Sequence, residues 1–147
     1  MDAIKILIIL ICFPMVIYAQ KAKFPKDTIY LLYTDTIFSN KKMKAKSQHI
    51  FNEEVGIKFW WKGYWMFYNC NSKTDTLPIF KLNDYVTIDS KEVTKRHNKW
   101  INELYNGQRK PPANKNGAFK TYLIEVICKD KFVIYPVVWR NEGVTGF

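Results

Sequence analysis

Two runs of β-branched and aromatic residues, separated only by Lys62 and Gly63, place the tightest limit on the fold of this 147-residue chain. The runs span residues 55–61 and 64–70. A two-residue loop that contains glycine permits the positive φ angles of a tight β-hairpin. Such a loop also sets the register, with Trp60 directly opposite Trp65. The sequence therefore predicts an antiparallel hairpin near the centre of the chain.

The two faces of this hairpin differ in character. Because side chains alternate along a strand, one face carries Ile57, Phe59, Trp61, Tyr64, Met66 and Tyr68. The other face carries Lys58, Trp60, Trp65 and Phe67. If the first face packs on the core, the second leaves aromatic rings beside a cation, which could anchor a partner protein or stack on sugars. The alternative is that a helix over residues 90–105 covers the second face and makes it core.

A second hairpin is predicted near the end of the chain. Its strands are 119–128 and 132–139, and residues 129–131 form the turn. Both faces of these strands are largely apolar, so the hairpin is expected to be central or covered on both sides. Pro136 has no backbone N–H, and we therefore expect it at a sheet edge or a bulge.

One amphipathic helix is predicted over residues 90–105. Asp89 followed by Glu92 resembles a capping box. The apolar stripe consists of Val93, His97, Trp100, Ile101 and Leu104, at the spacing of one helical face. Asn106 and Gly107 are typical of a helix end. Shorter strands are expected at 28–33, 49–52, 77–82 and 85–88.

Together these elements predict an α+β fold built mainly from an antiparallel β-sheet, with two hairpins, further strands and one helix. A small closed barrel, of the kind that binds oligonucleotides or oligosaccharides, is the alternative. The length of the chain fits a single globular domain.

The first 19 residues are predicted to be a secretory signal peptide rather than part of that domain. Residues 4–17 are apolar except for Lys5, and cleavage is expected after Ala19. The alternative is an uncleaved membrane anchor, but the run is shorter than the ~20 residues that span a bilayer. The globular domain is then 20–147, in a protein that is secreted or periplasmic.

Export leaves Cys70 and Cys128 as the two cysteines of the mature chain. In an oxidising compartment they are expected to form one disulfide. The alternative is a pair of buried free thiols.

The chain is basic, with a formal net charge of +10. Lysine supplies most of this charge, which fits either a solvated surface or an anion-binding one. Export argues against a specific nucleic-acid partner, so the expected partners are a protein or an envelope glycan or polyanion. The loop 106–118, which contains Arg109 and Lys110, is a second candidate surface; a solvated connector is its alternative.

Candidate catalytic groups are few. The sequence has no phosphate-binding loop and no metalloprotease or nucleophile motif. Its two histidines do not suggest a metal site, and no cofactor is indicated. Glu125 lies inside an apolar strand and His97 on the apolar stripe of the helix, so these two are the candidates for acid–base chemistry. The alternatives are an ion pair for Glu125 and a packed, uncharged imidazole for His97.

These observations favour a small exported binding protein without catalysis, similar in role to an inhibitor, an immunity protein or an envelope adaptor. A small secreted hydrolase that uses Glu125 or His97 is one alternative, and an envelope glycan or polyanion binder is another.

Overall fold

The computed structural model describes residues 26–34, 46–51, 54–106 and 114–140. Strands account for 54% of these residues, which agrees with the expected α+β class. The predicted signal segment 1–19 lies outside the described residues, and so do Arg109 and Lys110.

Seven strands and three short helices make up the described part of the chain. The strands are β1 (Asp27–Tyr33), β2 (Lys46–Phe51), β3 (Glu54–Trp61), β4 (Tyr64–Asn69), β5 (Asp75–Pro78), β6 (Phe119–Cys128) and β7 (Lys131–Arg140). The helices are a 3₁₀ helix (Ile79–Asp84), α1 (Ser90–Tyr105) and α2 (Lys115–Ala118). The predicted loop 106–118 therefore ends in a helical turn.

The strands join one mixed sheet in the order β1-β6-β7-β4-β3-β2, with β5 also paired to β7. β1 and β6 run parallel, and the other pairings are antiparallel. The sheet is thus mainly antiparallel, as predicted. The parallel pair at one edge requires a long crossover, which includes α1.

The first hairpin has the predicted register, with Trp60 opposite Trp65 and Trp61 opposite Tyr64. Lys62 and Gly63 form the turn with φ angles of 45° and 92°. Two consecutive positive φ angles match the right-handed twist of the flanking strands, and glycine accepts the second without a side-chain clash.

The sheet curls until β3 approaches β1, although β6, β7 and β4 lie between them in the sheet. The rings of Tyr33 and Phe59 are 5.2 Å apart. The curl does not close the sheet into a barrel, so the barrel alternative is wrong. We call the face inside the curl the inner face and the opposite face the outer face.

The inner face carries the main core, to which β1, β3, β4, β6 and β7 contribute buried side chains. Its largest fully buried members include Leu31, Phe59, Met66 and Leu123. Val93 of α1 packs on the same cluster. A smaller cluster on the outer face contains Ile124, Phe132 and Ile134. The β6–β7 hairpin is therefore central and buried on both faces, as predicted.

The strands expected at 77–82 and 85–88 are wrong in most of their length. β5 ends at Pro78, and the 3₁₀ helix follows it. Ile79 and Leu82 both pack on the outer cluster, and their spacing of three places them on one side of a 3₁₀ helix. Ile79 and Leu82 thus pack on the outer cluster from a 3₁₀ helix, although the same residue types are also common in strands.

Pro136 lies inside the central strand β7, opposite Tyr122 of β6. On its other edge, β7 pairs with β5 through residues 131–134 and with β4 through residues 138–140. Pro136 falls between these two segments. The expectation of an edge or bulge is therefore wrong, and the gap between the two partner strands explains how β7 accommodates proline. The register shift in this hairpin lies at Val126 and Cys128 instead.

The helix α1 has the predicted bounds. Its N-cap is Asp89, whose carboxylate accepts a hydrogen bond of 2.8 Å from the N–H of Glu92. Asn106 ends it in the left-handed conformation with a φ of 42°. Arg96 joins the helix to β1 through an ion pair of 3.1 Å with Asp27. Among the described helices, none is long and apolar enough to cross a membrane.

The predicted disulfide between Cys70 and Cys128 is wrong, because both are free thiols on the surface. Cys128 pairs with Lys131 at the start of β7, whereas β4 pairs with the far end of β7. Extending the β4–β7 register to Cys70 brings it level with Tyr135, four residues and about 13 Å from Lys131. A disulfide requires Cα atoms within about 7 Å. The alternative of buried thiols is also wrong, since both side chains are exposed.

Candidate functional site

The four hairpin residues predicted to bind a partner lie together on the outer face. Lys58 and Trp60 come from β3, and Trp65 and Phe67 from β4. The helix α1 packs on the inner face instead. That helix therefore does not cover these rings, but Trp65 and Phe67 are buried, as that alternative expected for the face.

The two tryptophans form a cross-strand pair. Their ring centroids are 4.8 Å apart, and the planes meet at 63° in an edge-to-face arrangement. The ammonium nitrogen of Lys58 lies 4.1 Å from the centroid of the Trp65 ring. This is within the range in which a cation is attracted to the face of an aromatic ring. The hairpin register thus assembles two rings and one cation.

β7 adds two residues that the sequence analysis missed. Val138 lies opposite Phe67, and Arg140 lies opposite Trp65. The guanidinium carbon of Arg140 is 5.0 Å from the centroid of the Phe67 ring, which makes a second cation–π contact. The pairing of β4 with β7, which lie some 70 residues apart in the chain, brings Val138 and Arg140 to this surface. No local sequence pattern predicts that pairing. We call these six residues the outer aromatic patch: Lys58, Trp60, Trp65, Phe67, Val138 and Arg140.

The rings of the patch are held in place rather than freely exposed. Phe67 is 4% exposed and Trp65 is 9% exposed. Any side chain at position 56 would collide with the Phe67 ring, so Gly56 permits this ring to lie close against β3. Val138 is 46% exposed. The patch therefore combines a packed aromatic floor, an exposed aliphatic side chain and two cationic groups.

Glu125 lies elsewhere, at the inner face near the end of β6. Both of its carboxylate oxygens accept hydrogen bonds from Lys46 of β2, at 2.7 and 2.8 Å. The hydroxyl of Tyr135 donates to one of them at 3.0 Å. Burial and this hydrogen bond raise the pKa of Tyr135, so its hydroxyl remains a donor. The arrangement links β2 to β6 and β7 across the curl.

His97 is buried beneath α1, with 8% of its surface exposed. Its ring stacks on Trp100 at a centroid distance of 5.8 Å. Burial lowers the pKa of His97, and the nearby charge of Lys115 lowers it further. The imidazole is therefore neutral at pH 7. Its Nε2 atom and the indole Nε1 of Trp100 have no hydrogen-bond partner within the described structure.

The two candidate acid–base residues do not meet. His97 contacts the ring of Phe119 at the start of β6, whereas Glu125 lies six residues further along that strand. At about 3.3 Å for each residue, this separates them by ~20 Å. The described ranges also hold no group of three or more side chains that could bind a metal ion. Glu125 and His97 therefore do not form an assembled acid–base pair.

Comparison of the chain with known protein families, with curated proteins and with solved structures finds no match. Of the positions considered from the sequence, the outer aromatic patch brings together the most groups suited to recognition.

Proposed function

We propose that this chain is a small exported binding protein that recognises a partner protein through the outer aromatic patch. Export rests on the apolar segment 4–17 and the cleavage site expected after Ala19. Binding rests on the patch. We expect the protein to act as an inhibitor, an immunity protein or an envelope adaptor.

The observation that carries the proposal is the pair of cation–π contacts on one sheet face. Lys58 covers Trp65 at 4.1 Å, and Arg140 covers Phe67 at 5.0 Å. Tryptophan and arginine are enriched among the residues that dominate binding energy in protein interfaces. Rings that are already packed lose little conformational freedom when a partner binds. None of the six patch residues is acidic, which favours a partner surface with apolar and acidic groups.

The partner is best sought with the full mature chain, tagged and incubated with envelope and culture-fluid extract from its own source. Washing at low and at high salt separates two kinds of binding. Ion pairs with exposed cations weaken as salt screens them, whereas buried aromatic contacts do not. A protein retained at high salt is then purified, and its affinity for the chain is measured directly.

Two alanine variants decide whether the patch is the binding surface. Trp60→Ala is expected to weaken the affinity about 30-fold, the effect of losing a dominant interface residue. Phe80→Ala is the matched control, because Phe80 is an aromatic residue of the 3₁₀ helix with 75% exposure and lies outside the patch. Equal affinities of the two variants for the purified partner would overturn the proposal. Capture of only polyanionic material, lost at high salt, would also overturn it and favour the polyanion alternative.

The hydrolase alternative predicts a different effect of mutating Glu125. If Glu125 were the catalytic acid or base, Glu125→Gln would abolish turnover in a folded protein. In a binding protein, the same change alters stability through the loss of its contact with Lys46 and leaves partner affinity unchanged.

A further inference from the structure

A shallow groove of about 430 Å³ lies between the turn of the first hairpin and the side of α1. The hairpin contributes Lys62 and Tyr64 to its lining, and α1 contributes Ser90, Lys91, Thr94, Lys95 and Asn98. The groove is distinct from the outer aromatic patch, because α1 packs on the inner face of the sheet.

The helical spacing explains why α1 presents this set. Residues four apart lie above one another on a helix. Ser90, Thr94 and Asn98 form one such row, and Lys91 and Lys95 form the adjacent row. The hydroxyl of Thr94 donates to the carbonyl of Ser90 at 2.9 Å, which fixes its orientation along the row. One side of α1 therefore faces the hairpin turn with lysines and small polar groups.

The electrostatics of the groove are one-sided. Three of its lining residues are lysines, and none is acidic. Neither Lys62 nor Lys91 forms an ion pair with any of the residues that the structure describes. The contact of Lys95 with Glu92 is exposed and 3.6 Å long, and such contacts contribute little. Among the described residues, the charges of Lys62 and Lys91 are thus not neutralised by an ion pair.

A fourth lysine strengthens the same field. The ammonium nitrogen of Lys115 lies 4.3 Å from the ring centroid of Tyr64, which lines the groove. By contrast, another cleft of about 510 Å³, beside Trp100, is lined by both carboxylates and cations. In that cleft, Arg96 already pairs with Asp27 and Glu92. The lysine-lined groove is therefore electrostatically more favourable for an anionic ligand than the cleft beside Trp100.

We propose that this groove binds a compact, multiply charged anion, namely a phosphate or sulfate group. Lysine ammonium groups act as point charges for such anions, and the hydroxyl of Ser90 and the amide of Asn98 can donate to their oxygens. The volume accommodates the anion with an attached sugar. The inference is independent of the proposed function, because it uses other residues on another side of the molecule.

The test is a titration of the mature, ¹⁵N-labelled chain, followed through its amide resonances. The probes are inorganic phosphate, a sulfated disaccharide and the same disaccharide without sulfate. Shifts concentrated at residues 62–64 and 90–98 are expected with the charged probes and not with the neutral one. Binding of either charged probe, or of both, supports the site. Binding of phosphate alone indicates a free ion, and binding of the sulfated disaccharide alone indicates a glycan-borne group.

Two double variants with equal charge separate the groove from the net charge of the chain. Lys62→Gln with Lys91→Gln is expected to weaken binding about tenfold, as the sum of two exposed charge contacts. Lys73→Gln with Lys129→Gln removes the same charge from two exposed turns and is expected to leave the affinity nearly unchanged. Equal weakening by both double variants would show a general charge effect and overturn the assignment. Shifts spread over the whole surface, or none with either charged probe, would overturn it as well.

Discussion

The indole N–H of Trp61 donates a hydrogen bond of 3.0 Å to the carbonyl oxygen of Leu32, and so connects β3 to β1 across the mouth of the curled sheet. A closed barrel would have a ladder of backbone hydrogen bonds at this place. On the same strand, the carbonyl of Tyr30 accepts from the N–H of Ile88. Part of the free edge of β1 is thus occupied by the Trp61 side chain and by the bridge between Tyr30 and Thr87, which hinders pairing with another chain.

Trp61→Phe is expected to lower the free energy of unfolding by about 1–3 kcal/mol. The substitution keeps an aromatic ring in the core but removes the part-buried hydrogen bond to the Leu32 carbonyl together with part of the ring volume, and both losses are destabilising. Urea denaturation measures the change. Trp100→Phe is the control, since it makes the same replacement at an indole whose N–H has no hydrogen-bond partner in the described structure. An equal loss in both variants would show that ring volume matters, and the hydrogen bond does not.

The ion pair between Lys46 and Glu125 is expected to stabilise the curl more than a surface pair does. The side chains are 33% and 16% exposed, and the nitrogen lies 2.7 Å from the nearer oxygen. A double-mutant cycle with Lys46→Gln and Glu125→Gln is expected to give a coupling energy of about 1–2 kcal/mol.

The exposed pair of Lys99 and Glu103 in α1, 3.9 Å apart, provides the reference for this cycle. The same substitutions there are expected to give at most about 0.5 kcal/mol. Similar coupling energies in the two cycles would contradict a special role for the pair across the curl.

Structural elements that depend on residues close together in the chain are predictable from the sequence. Lys62 and Gly63 determine the turn and register of the first hairpin, because only a few backbone conformations connect strands through two residues. The bounds of α1 follow from Asp89 and Asn106, which satisfy the backbone groups at its ends. The apolar stripe of α1 is buried at Val93 and His97, whereas Leu104 at its far end is exposed. The stripe does not reveal which sheet face the helix covers.

Relationships between distant segments could not be predicted in this way. Nothing in the sequence of β7 shows that β5 pairs with its first half and β4 with its second half. For that reason the sequence predicts neither the position of Arg140 beside Phe67 nor the separation of Cys70 from Cys128. Such pairings depend on packing across the whole sheet, which single-strand patterns do not encode. Four of the six residues of the outer aromatic patch, those of the hairpin, are therefore predictable from the sequence.

Gly56→Ala is expected to disrupt the outer aromatic patch. A methyl group at this position meets the Phe67 ring and the backbone carbonyl of Tyr68, and overpacking of this kind costs about 1–3 kcal/mol. Thermal unfolding measures the loss, and tryptophan fluorescence reports the change around the patch. Gly63→Asn is the comparison for backbone strain alone, because no atom lies within 4 Å of the added Cβ there and φ is 92°. No loss of stability in Gly56→Ala would contradict the close packing of Phe67.

His97 is expected to make the fold less stable as the pH falls below neutrality. Its pKa is lowered in the folded chain from the usual 6.5, chiefly by burial and then by Lys115. Between the folded value and 6.5, the unfolded chain binds a proton that the folded chain does not. The contribution of His97 to the free energy of unfolding is therefore fully present above pH 6.5 and is lost as the pH falls through this window.

Urea denaturation at a series of pH values tests the role of His97. His97→Gln cannot titrate, so its stability is expected to vary less between pH 7.5 and 5 than that of the wild type, whatever its stability at pH 7.5. His49→Gln removes the other histidine of the chain and serves as the comparison. If His97→Gln retains the wild-type slope and His49→Gln loses it, the pH dependence comes from β2 rather than from the imidazole buried beneath α1. The slope, unlike the absolute stability, separates the charge of the imidazole from its packing against Trp100.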